Sequence, residues 1–98
     1  MGLALNSSPI TKIWVFNGER AFLPSAVFLT LELAEQWIKE KQVSGLLTAY
    51  PVNTGVYDWA LTRGCFQPKH SYQQLPAFIQ RFTSAYLEHF HYENGERL

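Results

Sequence analysis

The sequence has a single cysteine, Cys65, among 98 residues. An intramolecular disulfide is therefore impossible, and a lone thiol fits a reducing cytoplasm. No hydrophobic stretch approaches the roughly 20 residues of a membrane-spanning helix. The first residues also lack the basic start and the apolar run of a signal peptide. These absences predict a cytoplasmic protein that has no membrane partner.

Charged residues are scarce, and neither sign is in excess. They make up 16% of the chain, with eight basic side chains against eight acidic ones, whereas about 25% is typical of soluble domains. A balanced chain lacks the broad positive field that binding to nucleic acid normally requires. We therefore expect no nucleic-acid partner.

Signatures of catalysis are also missing. The six glycines are scattered and form no phosphate-binding loop, and no serine lies in a Gly-x-Ser-x-Gly motif. Cys65 has no obvious activating base nearby, so we expect a small buried hydrophobe there. The sequence thus indicates no catalytic residue and no cofactor, and it favours a non-enzymatic role.

Aromatic side chains, in contrast, are abundant. Three Trp, five Tyr and seven Phe make up 15% of the chain. Large rings bury much apolar area each, so they can give a short chain a sufficient core. Together with the low charge, they also indicate surface that another molecule could cover. The length fits one domain over residues 1–98, with residues 1–10 and 96–98 as flexible ends.

The first half of the chain predicts a hairpin and a helix. Residues 13–16 are β-branched or aromatic and end at Asn17-Gly18, a strong hairpin signal. The next run, residues 21–28, contains Pro24, and proline cannot donate to a ladder. It therefore predicts an edge strand, or two extended pieces around a bend. Thr30 is a suitable N-cap for a helix over residues 31–42, which has helical spacing of apolar residues.

The second half predicts another hairpin and another helix. Residues 46–50 and 56–61 read as two strands, because Tyr57, Trp59 and Leu61 alternate with smaller or polar residues. Residues 76–90 repeat apolar side chains at intervals of three and four, which predicts an amphipathic helix. The order ββαββα predicts an α+β fold, with a mostly antiparallel sheet from two hairpins and two helices on one face.

Two groups of residues are candidates for a site. The first is a binding surface on the second hairpin; core packing of its rings, with Asp58 on the solvent side, is the alternative. Its members are Tyr50, Tyr57, Asp58, Trp59 and Arg63. The second is the segment His89, His91 and Glu93, which would share one face if extended and could then ligate a metal. The helix prediction disfavours that ligand set, and we expect no metal.

Several whole segments resemble a group of small uncharacterised bacterial proteins. The resemblance covers roughly residues 12–95 and rests on residues 13–16, 34–38, 44–51, 55–60 and 88–95. It implies a bacterial, single-domain, soluble protein of no established activity. By analogy of size and class, such domains are similar to immunity proteins, which bind and block a toxin.

Together these observations lead to two hypotheses from different classes. The first is a protein-binding module of the immunity or accessory type, acting as a monomer or as a homodimer formed through the edge strand near Pro24. The alternative is a small metal-binding protein or enzyme that uses Asp58, His89, His91 or Glu93.

Overall fold

A computed structural model describes residues 10–98 and shows one five-stranded antiparallel sheet with its helices. Most of the predicted flexible segment 1–10 lies outside the described residues. The elements are β1 (Lys12–Gly18), β2 (Ala26–Phe28), α1 (Leu31–Lys41), β3 (Gly45–Pro51), α2 (Val56–Arg63), a 3-10 turn (Ser71–Gln74), α3 (Pro76–Ile79), β4 (His89–Glu93) and β5 (Glu96–Arg97). The strand order is β2-β1-β3-β4-β5. The predicted α+β class with an antiparallel sheet is confirmed.

Alternation along the central strands separates two faces of the sheet. Trp14 and Phe16 of β1 are buried and lie opposite Ala49 and Leu47 of β3. Together with β4, these residues form the face on which the main core is built. Because successive strand residues point to opposite sides, the intervening positions form a second face.

Helix α1 covers the core face, and its start is confirmed. Leu33 N donates to Thr30 Oγ1 at 3.2 Å, as expected of an N-cap. Ala34 and Ile38, four residues apart, are fully buried against the sheet. The Trp37 ring packs beside them, on the side of α1 that faces β2. Helix α1 therefore packs against both the first hairpin and the main core.

The prediction of a strand over residues 56–61 is wrong, because this segment is helix α2. Tyr57 and Ala60 are its buried residues, and their spacing of three fits one face of a helix. The alternation of Tyr57, Trp59 and Leu61 fits a strand equally well. Asp58 lies in the first turn, and Gly64 ends the helix with φ 74°. The second predicted hairpin consequently does not form, and β3 pairs with β1 and β4 instead.

The long helix predicted over residues 76–90 is also wrong. Only Pro76–Ile79 is α-helical, and the chain then turns until β4 begins at His89. The apolar spacing in this region instead serves a second aromatic cluster beside α2. There the Tyr57 ring contacts Phe66, Phe78 and Phe82, with ring centroids 5.4–6.3 Å apart. The Tyr57 hydroxyl donates to Gln73 O at 2.8 Å.

The two Asn-Gly pairs play different roles. Asn17 and Gly18 remain within β1 and pair with Leu46 and Gly45, so the predicted turn there is wrong. Asn94 and Gly95 have φ values of 50° and 86° and form a two-residue turn between β4 and β5. Residues 96 and 97, expected in a flexible end, are therefore paired as β5.

Candidate functional site

The five predicted binding residues are not brought together into one surface. Tyr57 is buried in the second aromatic cluster. Asp58 is exposed in the first turn of α2, where a carboxylate is favourable near the positive end of the helix dipole. Tyr50 is half-buried on the second face of the sheet, opposite Ile13. Trp59 and Arg63 are the pair that the structure does bring together.

Trp59 and Arg63 lie one turn apart on α2, where the Arg63 guanidinium is 5.5 Å from the Trp59 ring centroid. Both line a groove of about 520 Å³ between α2 and the end of the sheet. Lys12 and Glu88 form an exposed ion pair of 3.0 Å at the same groove. Because these charges pair off or stack on a ring, the groove presents no concentrated field to a ligand.

His89, His91 and Glu93 are extended in β4, and they share one face of the strand. The helical interpretation of this segment is wrong, whereas the shared face considered as its alternative is present. The two imidazole rings lie 5.6 Å apart, and His89 Nδ1 is 2.7 Å from Leu87 O. Within residues 10–98, no three His, Cys, Asp or Glu side chains form a group that could hold a metal ion.

Cys65 is half-buried after the end of α2. It lines a shallow groove of about 540 Å³ together with Lys69 and His70. A thiol becomes a nucleophile through a lowered pKa or an adjacent base in hydrogen-bond contact. The groove brings the thiol and an imidazole into one region without such a contact, so it defines no catalytic pair.

Several large apolar side chains are exposed around the edge strand β2. Phe22 and Leu23 precede this strand, Leu29 comes directly after it, and Leu33 is on the β2 side of α1, one turn before Trp37. We call the set of Phe22, Leu23, Val27, Leu29 and Leu33 the β2 edge patch. Its members have exposed fractions from 53% for Leu33 to 97% for Phe22. Val27 alternates with Ala26 and Phe28, which pack on the core side, so the set surrounds the β2 edge on both faces of the sheet.

Sequence reasoning found the edge strand but missed the patch. Pro24 correctly marks β2 as an edge, but the pattern over residues 21–28 does not show where the strand begins. Proline cannot donate to a ladder, and Phe22 and Leu23 lie in the loop before β2, outside the strands of the described residues. The apolar pair directly before Pro24 was therefore the available sequence signal for an exposed patch.

The opposite edge of the sheet differs in chemistry. It is formed by β5, whose two residues, Glu96 and Arg97, are both charged and exposed. Arg97 lies over the Phe90 ring, with the guanidinium 4.0 Å from the ring centroid. A short, charged edge strand is a common way to prevent pairing with another chain. β2 has no such charge, since residues 25–29 are Ser, Ala, Val, Phe and Leu.

A charged network fixes β4 and β5 to α1. The Tyr92 hydroxyl donates to Glu35 Oε2 at 2.5 Å, and Arg97 Nε donates to the same oxygen at 2.8 Å. Burial raises the pKa of the Glu35 carboxyl, but the two hydrogen bonds and the positive charge of Arg97 together outweigh it, so the pKa lies below its usual value. Burial and the Glu35 carboxylate raise the pKa of the Tyr92 phenol far above its usual range. Both directions describe a carboxylate and a neutral phenol held in a structural contact.

Comparison with known proteins identifies one family. A family model described as a domain of unknown function, DUF7710, matches residues 13–98. No curated protein and no solved structure matches the chain. Among the helices that the structure describes, none has the length and apolar character needed to cross a bilayer.

Proposed function

This chain belongs to the DUF7710 family, a domain of unknown function, and we propose that it is a protein-binding module whose contact surface is the β2 edge patch. The single observation that carries the proposal is the exposure of five large apolar side chains around β2, an edge strand of the sheet that residues 10–98 form. Phe22 is 97% exposed, so its ring contributes almost no burial free energy to the fold. A partner that covers the ring would gain roughly 2 kcal/mol of binding free energy from burying it.

The chemistry of the patch supports a protein as the ligand. β2 is an edge strand, so it can accept a further strand through backbone hydrogen bonds, and the apolar side chains on both sides of it can fill pockets of that partner. Phe22 is the natural anchor, because a ring that is fully desolvated on binding contributes more than its neighbours. We assign the role to the class of bacterial immunity-type or accessory proteins, which act by covering a partner in the cytoplasm.

Affinity capture with matched variants tests the proposal. Tagged wild-type chain, Phe22→Ser and Tyr86→Ser are compared in lysate of the source cell, with retained proteins identified by mass spectrometry. Tyr86 is the control because it is 73% exposed but lies at the groove beside α2, away from β2. Circular dichroism verifies that all three chains fold.

We expect one protein to be retained by wild type and by Tyr86→Ser, and to be lost with Phe22→Ser. Loss of more than about tenfold in retained partner corresponds to removal of a buried anchor. If every retained protein is recovered equally well with Phe22→Ser, the patch binds none of these cellular proteins and the proposed function fails.

A further inference from the structure

We propose that the β2 edge patch binds the same patch of a second copy, so that two chains form a two-fold dimer with their sheets joined through β2. The inference rests on the proposed function, because it names the occupant of that surface. It is supported by the backbone of β2, by the difference between the two sheet edges and by the exposure of the apolar side chains around β2.

The hydrogen bonds of β1 show which of its residues face β2. Glu19 N donates to Ser44 O at 2.9 Å, and Val52 N donates to Thr11 O at 3.0 Å. Both bonds join an odd-numbered residue at an end of β1 to the β3 side. Since backbone groups alternate in direction along a strand, the odd-numbered residues of β1 bond β3 and the even-numbered ones bond β2.

The same alternation directs one residue of β2 outward. Trp14 pairs with Phe28 and Phe16 pairs with Ala26, so these two residues of β2 use their backbone groups toward β1. Val27 lies between them, and its N–H and C=O therefore point to the free edge. Opposed to Val27 of a second copy, they form two reciprocal hydrogen bonds about a two-fold axis, with Cα atoms about 5.5 Å apart.

The two sheet edges together favour a closed dimer. Pairing of β2 with β5 of the next copy would repeat without end and produce a filament. The charged Glu96 and Arg97 on β5 oppose that arrangement. Pairing of β2 with β2 consumes the unprotected edge of both copies and leaves a charged edge at each end of the joined sheet.

The patch is self-complementary about this axis. A two-fold axis at Val27 brings the start of β2 in one copy beside its end in the other, so Phe22 and Leu23 approach the partner copy's surface around Leu29 and Leu33. We expect the dimer to be populated at about 100 µM protein.

The test places charge at the axis. Val27 is 59% exposed, so Val27→Lys and Val27→Glu should both fold, as circular dichroism can verify. Each variant alone opposes like charges across the axis, and we expect its dimer Kd to rise about 100-fold or more. An equimolar mixture of the two variants opposes unlike charges and restores dimers. Sedimentation equilibrium measures the mass, and Tyr86→Lys, charged at a remote exposed site, remains dimeric.

Two results would overturn the inference. One is wild-type chain that stays monomeric at about 100 µM; the other is a dimer that Val27→Lys leaves intact. Monomeric wild type with a cellular partner that Phe22→Ser loses would leave the proposed function in place, with a foreign segment on the patch. A dimer dissolved by Val27→Lys and restored in the mixture, with no cellular partner that depends on Phe22, would support the second copy alone.

Discussion

Replacing Tyr92 with Phe tests whether the charged network stabilises the fold. The substitution keeps the buried ring, which is 5% exposed, and removes only the hydroxyl that donates to Glu35. A hydrogen bond to a charged partner contributes about 1.5–3 kcal/mol. Water replaces part of this interaction because the Glu35 side chain is 33% exposed, so we expect a loss of about 1.5 kcal/mol at neutral pH. That loss lowers the Tm by about 10 °C for a domain of this size.

The penalty should depend on pH with a defined sign. The pKa of the Glu35 carboxyl lies below its usual value in the folded chain, and the carboxylate is what Tyr92 and Arg97 hold. Its stabilisation is therefore present above the unfolded pKa and is lost as pH falls through the lower folded value. The difference in unfolding free energy between wild type and Tyr92→Phe should shrink as acid protonates Glu35.

Urea unfolding followed by tryptophan fluorescence, at about pH 7 and about pH 3, measures both effects. Tyr86→Phe is the control, because an exposed hydroxyl should change stability by less than about 0.5 kcal/mol. The double substitution with Glu35→Gln should cost less than the sum of the single ones, since both remove the same contact. A penalty for Tyr92→Phe that is equally large at both pH values, or absent at neutral pH, would refute the reasoning.

Two further predictions concern packing. Gly45→Ala should destabilise the fold by more than about 2 kcal/mol, because the added methyl group would lie 2.9 Å from the Phe16 ring and against the backbone of β1; a thermal scan that shows an unchanged Tm would contradict this. Ile38→Ala should cost about 3 kcal/mol, because the side chain is fully buried between α1 and the sheet. Its urea midpoint should fall well below that of Lys39→Ala, an exposed neighbour whose truncation is expected to be nearly neutral.

The sequence predicts the first half of the fold well because its signals are local. The Thr30 cap, the helical spacing through Ile38 and the proline that marks an edge strand each act within a few residues. The α+β class is reached from these elements together with a strand at β3. In this half of the chain the tertiary packing favours the same elements as the local signals, so the local signals predict the structure correctly.

The second half is harder to predict, because residues 56–61 and 89–93 are each compatible with a helix and with a strand. Tyr57 faces inward in both patterns, but the strand prediction places Trp59 and Leu61 beside it, whereas α2 buries Ala60 and leaves Leu61 exposed. Packing of Tyr57 on Phe66 and Phe82 selects the helix, and no local signal reports that contact. The His89 segment is settled in the same way, by its pairing with β3.

The two Asn-Gly pairs show the limit of a local turn signal. Both pairs can adopt positive φ, yet only Asn94 and Gly95 do so. At Asn17 the backbone continues in pairing with β3, and the side chain donates to Ala21 O in the loop beyond at 3.1 Å. A neighbouring strand can therefore outweigh turn propensity when it offers a continuous ladder.

The sequence predicts β2 as an edge strand, but it does not predict the exposed apolar patch around it. Exposure of Phe22 depends on which side of the sheet has neighbours, and composition cannot report this. Its local sequence has the same apolar character as the buried core strands. Asp58 and Tyr57 show the converse, since residues chosen for chemistry prove to serve a helix start and a second core.

The network of Glu35, Tyr92 and Arg97 also has a consequence for the order of folding. The acceptor is synthesised 57 residues before Tyr92 and 62 before Arg97, and β4, which supplies part of the main core, is made nearly as late. Until β4 has been synthesised, the edge of β3 that pairs with β4 remains unpaired. Contacts between distant parts of a chain slow folding because a long loop must close first. We therefore expect this domain to complete its sheet only after β4 and β5 have been synthesised.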